Sequence, residues 1–380
     1  MLSDIDGHTY IDLIGEYTAG LFGHSNPDIA QALKRVLDEG ILLCGPNRYE
    51  QELSALLCER FASMQRLRFV NTGTEANLMA VTAARAFTGK SHLMAFDGAY
   101  HGSVFLYANG ISRHNAPYPT LLGSYNRIDE TVSLIRRHAD ELACVLVEPM
   151  MGTGGAIPAE RDFLVALREV CTEHAVVLIF DEVMTSRLSG GGLQQVHNIH
   201  PDLTTLGKYI GGGMTFGAFG GRADIVDQFD PRRADCLPHA GTFNNNVLSM
   251  AAGIVAMRDL YTPSVADELT ARGEKFRLRL QGIADAKQLP VQLSGVGSLM
   301  TIHFAEAPVE SPAQARAVNP RLRQLLQIFM LNNGFYIGKA GYLALMLPLT
   351  DTDCDRFTQV FEHFLDVHGQ IICDNIASQG

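Results

Sequence analysis

The order of apolar and polar positions changes character twice along the chain. Over residues 4–23 they alternate around Gly7, Gly15 and Gly20, which predicts short strands and turns. A helix is expected next: Pro27 directly follows Asn26, and Ile29, Leu33 and Val36 recur at helical spacing before Gly40. From Arg66 onward the pattern becomes β–α alternation. Residues 67–70 read as a short apolar strand and 75–87 as an Ala-rich helix closed by Gly89. Residues 93–96 and 144–147 read as further strands, 163–171 as an amphipathic helix, and 175–180 as a continuous apolar run. Such runs, separated by helices, predict a mostly parallel sheet covered on both faces. Beyond about Gly253 a charged helical stretch, 266–280, leads to strand-like segments at 298–304 and 342–347 with a helix between. The expected organisation is therefore α/β: a large domain over 45–255, a small α+β domain over 256–380, and an N-terminal segment, 1–44, that packs with the small domain.

Composition narrows the function classes. With 380 residues, 47% of them hydrophobic, the chain can bury a large core. Charged residues make up only 19%, below the usual quarter, so much of the chain must lie inside or at an interface. A net charge of −11 opposes nucleic-acid binding, which calls for a basic face. No basic, apolar leader opens the chain, and no apolar run approaches the ~20 residues needed to span a bilayer. A cytoplasmic protein is expected. Cys44, Cys58, Cys144, Cys171, Cys236, Cys354 and Cys373 form no C-x-x-C and predict free thiols rather than a disulfide framework. His197 and His200 fit one helix face, but no acidic or thiol partner lies nearby in sequence, so no metal site is expected.

The strongest chemical signal is Ala-Val-Val-Leu-Ile-Phe-Asp-Glu-Val-Met over 175–184, followed by Asp-Leu-Thr-Thr-Leu-Gly-Lys-Tyr-Ile-Gly-Gly-Gly over 202–213. The first is a buried strand ending in Asp181, where open α/β sheets present groups to a ligand. The second is a short strand ending in Lys208 and three glycines. Burying a lysine strips its hydration, lowers its pKa and makes the amine nucleophilic enough to form an imine. Lys34, Lys275 and Lys287 sit in polar contexts, Lys90 follows a helix end, and Lys339 lacks a preceding carboxylate strand. Lys208 is thus the expected Schiff-base lysine of pyridoxal 5′-phosphate, with Asp181 holding the pyridine nitrogen protonated. The bland alternatives are an exposed strand-end lysine and a turn-capping aspartate. If the strand continues past Asp181, Val183 points the same way and presses on the ring.

Three further segments belong to the same picture. Asn71-Thr-Gly-Thr-Glu-Ala-Asn77 sits at a strand-to-helix junction, where free N–H groups and the helix dipole suit a phosphate. Gly73 admits close approach and Thr74 adds a hydroxyl; ordinary capping is the alternative. Neither a P-loop nor a G-x-G-x-x-G follows a strand, which weakens nucleotide readings. Tyr100 and His101, on a Gly-flanked loop, offer a ring for stacking on a conjugated system. Glu148 ends another strand on the same rim, and Ala-Gly-Thr-Phe-Asn-Asn-Asn over 240–246 is either an anion contact or a solvated helix cap.

Taken together, these motifs resemble the class III, fold-type I aminotransferases, over about Asp4 to Asp366. The most similar branch contains glutamate-1-semialdehyde aminomutase and the β-phenylalanine-type aminotransferases. The resemblance implies a large domain with a seven-stranded, mostly parallel sheet between helices. It implies that Gly73 and Thr74 hold the cofactor phosphate, that Tyr100 and Val183 sandwich the ring, and that Glu148 belongs to the cofactor site. Asp181 becomes the pyridinium partner and Lys208 the imine lysine. Thr242 would reach the phosphate of a neighbouring subunit, which implies a homodimer. The implied activity is ping-pong transfer of an amino group between an amine or β-/ω-amino acid and a keto acid or aldehyde. The alternatives are an aminomutase and a catalytically silent protein of the same fold. Two departures stand out. Family members carry substrate-carboxylate arginines, yet 345–348 has none, and the place used by β-phenylalanine-type enzymes is Ala340, beside Lys339. Relatives also carry several dozen residues ahead of position 1, including part of the pocket wall. Both departures favour an amine, long-chain or carrier-bound amino substrate.

Overall fold

A computed structural model describes residues 1–43 and 45–377; Cys44, counted above among the free thiols, lies outside the described residues. The chain forms two compact units. The larger comprises Ser25–Thr153 and Ala159–Ala266, and the smaller comprises Met1–His24, Gly154–Pro158 and the chain from Asp267 onward.

The larger unit is built on a seven-stranded sheet. Its spatial order is Arg66–Val70, Gly217–Gly221, Leu203–Gly207, Val177–Asp181, Leu142–Val147, His92–Phe96, Thr120–Gly123. Gly217–Gly221 runs antiparallel to both neighbours, and the other strands share one direction. Their carboxyl ends consequently lie along one edge. The central strands are apolar throughout because both faces are covered: every residue of Leu142–Val147 and of Val177–Asp181 is buried. Each such aliphatic side chain contributes about 1.5–3 kcal/mol on burial. Phe96, Tyr125 and Phe163 pack edge to face with centroids 5.4–5.8 Å apart, locking the Arg161–Glu173 helix to the sheet.

The helix Gly73–Thr88 crosses under the strand ends. Ala76, Ala80, Ala83 and Ala84 are fully buried, and their small side chains let the helix sit close to the sheet. Gly89 stops it in the left-handed region, φ 69°, returning its N–H to the Arg85 carbonyl. Helix Pro27–Glu39 starts as read, with Asn26 accepting from the N–H of Asp28 and Ile29.

In the smaller unit, Val291–Val296, Leu299–Phe304 and Tyr342–Ala344 form an antiparallel sheet. The strand expected at 342–347 ends at Ala344; beyond it Leu345 and Met346 are buried, and Leu347 N–H bonds the Leu21 carbonyl. Thr9–Asp12 pairs in parallel with Phe335–Tyr336. Lys339 and Ala340 are exposed and line, with Arg323 and Gln324, a cavity of about 430 Å³ within it.

Candidate active site

Adjacent parallel strands bring the acid and the amine together. Thr205 stands opposite Asp181 in the register, so Gly207 and Lys208 extend just past the carboxylate. Lys208 has φ 56°, a left-handed conformation that a lysine adopts only under constraint. The constraint is visible. A Cβ on Gly207 would lie 3.1 Å from Val183 Cγ1 and 3.5 Å from the Gly73 Cα, so lysine backbone, Val183 and the start of the Gly73–Thr88 helix are in close contact.

Asp181 is 4% exposed and heavily hydrogen-bonded. Oδ2 accepts from Asn77 Nδ2 and lies against His101 Nδ1, both at 2.8 Å. Oδ1 accepts from the Val183 N–H at 3.0 Å, and the Thr205 hydroxyl oxygen lies 3.4 Å from it. The one Thr205 hydroxyl proton goes to Asn77 Oδ1 at 2.7 Å, closing the network. A carboxylate with this many donors is fixed in orientation. Asn77, Thr205 and His101 are buried; sequence reading gave Asn77 and Thr205 no role and named His101 only with Tyr100 on its loop. Asn77 lies one helical turn beyond Gly73, and Thr205 is a polar residue inside an apolar strand; those were the available signals.

Val183 arrives differently from the expectation. The strand ends at Asp181 and a turn follows, so Val183 is not the next same-face strand residue. The turn, held by its N–H on Asp181, nonetheless puts its side chain where a Cβ on Gly73 would come within 2.8 Å of Cγ1.

At the helix start, Thr72 is the N-cap and accepts from the Glu75 N–H at 3.1 Å, while Glu75 accepts from the Asn71 N–H at 2.8 Å. This capping leaves the N–H groups of Gly73 and Thr74 at the mouth of a sixteen-residue helix. Gly102, at φ 105°, rests against Thr74: a Cβ there would meet Thr74 Oγ1 at 2.3 Å. The Tyr100–Gly102 loop is tied from the other side by Glu148, which accepts from the Tyr100 N–H at 3.0 Å and the Gly152 N–H at 2.9 Å. The Tyr100 ring itself is 43% exposed. Thr242 is exposed on its loop; the neighbouring Asn244 accepts from Asn71 at 3.0 Å, and Asn246 caps the following helix. Gly73, Thr74, Val183, Asp181 and Lys208 are thus gathered by the strand ends, with Tyr100 and Glu148 on the adjoining loop and Thr242 facing outward.

Burial pushes the Lys208 amine down to about 8; the charges of Asp181 and Glu148 oppose that, and Arg187 adds to it. Burial pushes Glu148 up to about 7, opposed by His101 and by its two backbone N–H bonds, and reinforced by Asp181. The neutral amine is the nucleophile, so its reactivity rises with pH through the folded pKa. A drop from 10.5 to about 8 raises the neutral fraction near neutrality by ~300-fold. In the cofactor-free protein, capture of a small aromatic aldehyde at Lys208, trapped with borohydride, should therefore show a midpoint near pH 8. A midpoint near that of a solvated lysine would mean that burial does not tune this amine.

A nucleophilic amine beside a fixed carboxylate, a helix start with free N–H groups and glycines that admit a flat ligand suit an aromatic aldehyde phosphate. Comparison with known proteins agrees. The aminotransferase class-III family model matches residues 1–365. A β-phenylalanine transaminase from Variovorax paradoxus is 48% identical over 371 residues, 98% of this chain and 85% of that protein. The crystal structure of a β-phenylalanine aminotransferase from that organism superposes with a TM-score of 0.96 at 49% identity, over 97% of this chain and 86% of the other. A glutamate-1-semialdehyde 2,1-aminomutase from Caldicellulosiruptor saccharolyticus is 34% identical over 95% of this chain and 87% of its own. A transaminase solved with PLP bound matches with a TM-score of 0.87 at 31% identity, over 98% of this chain and 89% of that one.

Proposed function

Because the chain belongs to the class-III aminotransferases, and is therefore a pyridoxal-phosphate enzyme of amino-group transfer, we propose the following division of labour among its residues. The cofactor, when bound, supplies an aldehyde carbon that takes the amino group and a ring that accepts electrons from the substrate carbon. The Lys208 amine would anchor it covalently, and its Nζ, when free, would take and return the proton at the substrate carbon. Asp181 would face the ring nitrogen and hold it protonated. Val183 and Tyr100 would pack on the two ring faces, and the Gly73 and Thr74 N–H groups with the Thr74 hydroxyl would hold the phosphate. Glu148 acts by fixing the Tyr100 loop through the backbone bonds described above.

The observation that carries this reading is the register of Asp181 against Thr205, which sets Lys208 next to a carboxylate already oriented by Asn77, His101 and Thr205. Likeness to the β-phenylalanine transaminase supports amines or β-/ω-amino acids as donors and a keto acid or aldehyde as acceptor. Adding donors singly to the holoenzyme should convert the lysine-linked absorbance band to that of the amino form of the cofactor. An aminomutase would instead turn over a single diamino or amino-carbonyl substrate with no separate acceptor.

A homodimer is part of the same proposal, with Thr242 serving the partner's phosphate. Phe243 beside it is 54% exposed. Sedimentation should give twice the chain mass, and Phe243→Asp should shift it toward the monomer. A cytoplasmic location is supported by the unpaired state of the described cysteines.

Gly102→Ala tests the phosphate end. Its Cβ would displace Thr74 and hold a strained φ, costing about 1–3 kcal/mol. The expected result is a lower unfolding midpoint and cofactor affinity weakened at least ~10-fold; unchanged affinity would remove Thr74 from the phosphate site.

A further inference from the structure

The charge of the smaller unit is unevenly spread. From Ser311 to Thr350 the chain contains no Asp or Glu, yet it carries Arg316, Arg321, Arg323 and Lys339 in a protein of net charge −11. Two of these cations meet at the cavity of about 430 Å³, a size within the ~300–1,000 Å³ of small-molecule sites. One wall is a single face of the helix Pro320–Asn332, which presents Pro320, Arg323, Gln324 and Ile328 at helical spacing. The other is the turn at Lys339 and Ala340, closed by the Gly341 N–H on the Gly338 carbonyl at 2.9 Å.

Neutral groups hold Arg323 in place. Its Nη2 donates to the Ala315 carbonyl at 2.6 Å and to His303 Nδ1 at 3.3 Å. That second bond sets the histidine tautomer: the ring proton sits on Nε2, 2.8 Å from Ser294 Oγ and 3.0 Å from the Gly155 carbonyl oxygen. Ser294 in turn donates to the Gly155 carbonyl at 2.5 Å. His303 is fully buried, and burial, with the Arg323 charge adding and the Gly155 bond opposing, pulls it down to about 4. It is therefore a neutral acceptor for the arginine.

The guanidinium is thus aimed and half-buried, but its charge is not met. Its Nε is buried without a hydrogen-bond partner. Burial lowers its pKa, and no carboxylate offsets that. Among the described residues neither Arg323 nor Lys339 forms an ion pair. The acids of Asp351–Ala377, the helix packed against Pro320–Asn332, are engaged elsewhere. Asp351 pairs with Arg272, Asp355 with Arg279, and Glu362 and Asp366 with Lys287. Asp353 accepts from Thr350, and Asp374 from Gln370. A partly desolvated cation calls for a counter-charge, and Pro320, Ile328 and Ala340 add apolar wall that an inorganic ion would leave uncovered.

We propose that this cavity is a binding site for a small organic carboxylate with an apolar body. The carboxylate sits on Arg323 and Lys339, and the body lies against Pro320, Ile328 and Ala340. The network behind Arg323 pre-organises the guanidinium, so little ordering is left for the ligand to impose.

The test soaks crystals of the holoenzyme in 4-bromobenzoate. The expected result is an anomalous bromine peak in the cavity, with the carboxylate against Arg323 and Lys339. Calorimetry on the holoenzyme should show saturable binding that weakens ~10–100-fold in Lys339→Met, a change at an exposed position. Arg323→Gln should weaken it as much; should that variant not fold, Lys339→Met carries the test. Neutral 4-bromobenzamide should bind at least ~10-fold more weakly than the acid. Neither reading depends on how the cofactor is held, so failure here is distinguishable from failure of the transaminase roles. Kinetics separates two sources of the carboxylate. Lys339-dependent inhibition competitive with an amino-acid donor identifies the reaction's own substrate as the occupant, and noncompetitive inhibition identifies a separate effector. A cavity without a bromine peak overturns the proposal. So does amide or sulfate binding as tight as that of the acid, or an affinity unchanged in Lys339→Met.

Discussion

Lys208→Ala lowers amino transfer by at least ~10⁴-fold while leaving the fold intact. Two functions are lost at once, the covalent anchor and the group that carries the proton at the substrate carbon. Lys208→Arg fails equally, because a guanidinium is always protonated and forms no imine at neutral pH. Stability should move the other way. The wild-type amine is held at about 8 by burial, which means its charged form is disfavoured in the folded state. The sign follows: the charged lysine penalises folding most below pH 8, and the penalty fades as pH rises from there toward 10.5. Without the cofactor, Lys208→Ala should therefore melt at or above the wild type at pH 7, and the difference should shrink by pH 10. A variant that loses activity and stability together would assign Lys208 a structural role instead.

Asp181→Asn is the second large effect. Asn77, His101, Thr205 and the Val183 N–H all converge on this side chain. An asparagine turns one acceptor into a donor facing other donors, leaving a buried group unpaired at about 1–3 kcal/mol. It also withdraws the negative charge proposed to hold the ring nitrogen protonated, which should reduce kcat by ~10²–10⁴-fold. Lys208 would still attach, so the spectrum of the resting enzyme should persist while donor-driven conversion slows. Thr205→Val, which leaves the carboxylate in place but releases Asn77, should show a much smaller loss. Equal losses in the two variants would mean that the carboxylate acts only as a structural acceptor.

The parts of the site carried by strand ends were legible because parallel sheets are written as apolar runs. Asp181 and Lys208 each close such a run, and Gly73 opens the helix after another. Two of the seven strands, Thr120–Gly123 and Gly217–Gly221, were hidden. Gly217–Gly221 contains three glycines and carries no β-forming pattern, yet they are required: a Cβ on Gly217 would sit 2.2 Å from the Thr72 carbonyl oxygen, and on Gly220 2.4 Å from that of Arg66. The same limit explains Asn77, Thr205 and His101. Their chemistry comes from register between strands and from a helix crossing beneath them, neither of which a linear pattern encodes. Val183 shows a different case: the alternation argument placed it on a continuing strand, whereas a turn brings it beside Gly73. Thr242 could not be placed from sequence except by resemblance, since it sits on an exposed loop whose ordered partners are its neighbours Asn244 and Asn246.

Borohydride reduction of the holoenzyme followed by peptide mapping reads most directly whether Lys208 is the anchor. The cofactor should be found on the peptide bearing Lys208, with none on Lys90 or Lys339, and the label should vanish in Lys208→Ala. Label on another lysine, or reduction that leaves the chain unlabelled, would contradict the assignment of Lys208 and with it the roles drawn for Asp181 and the helix start.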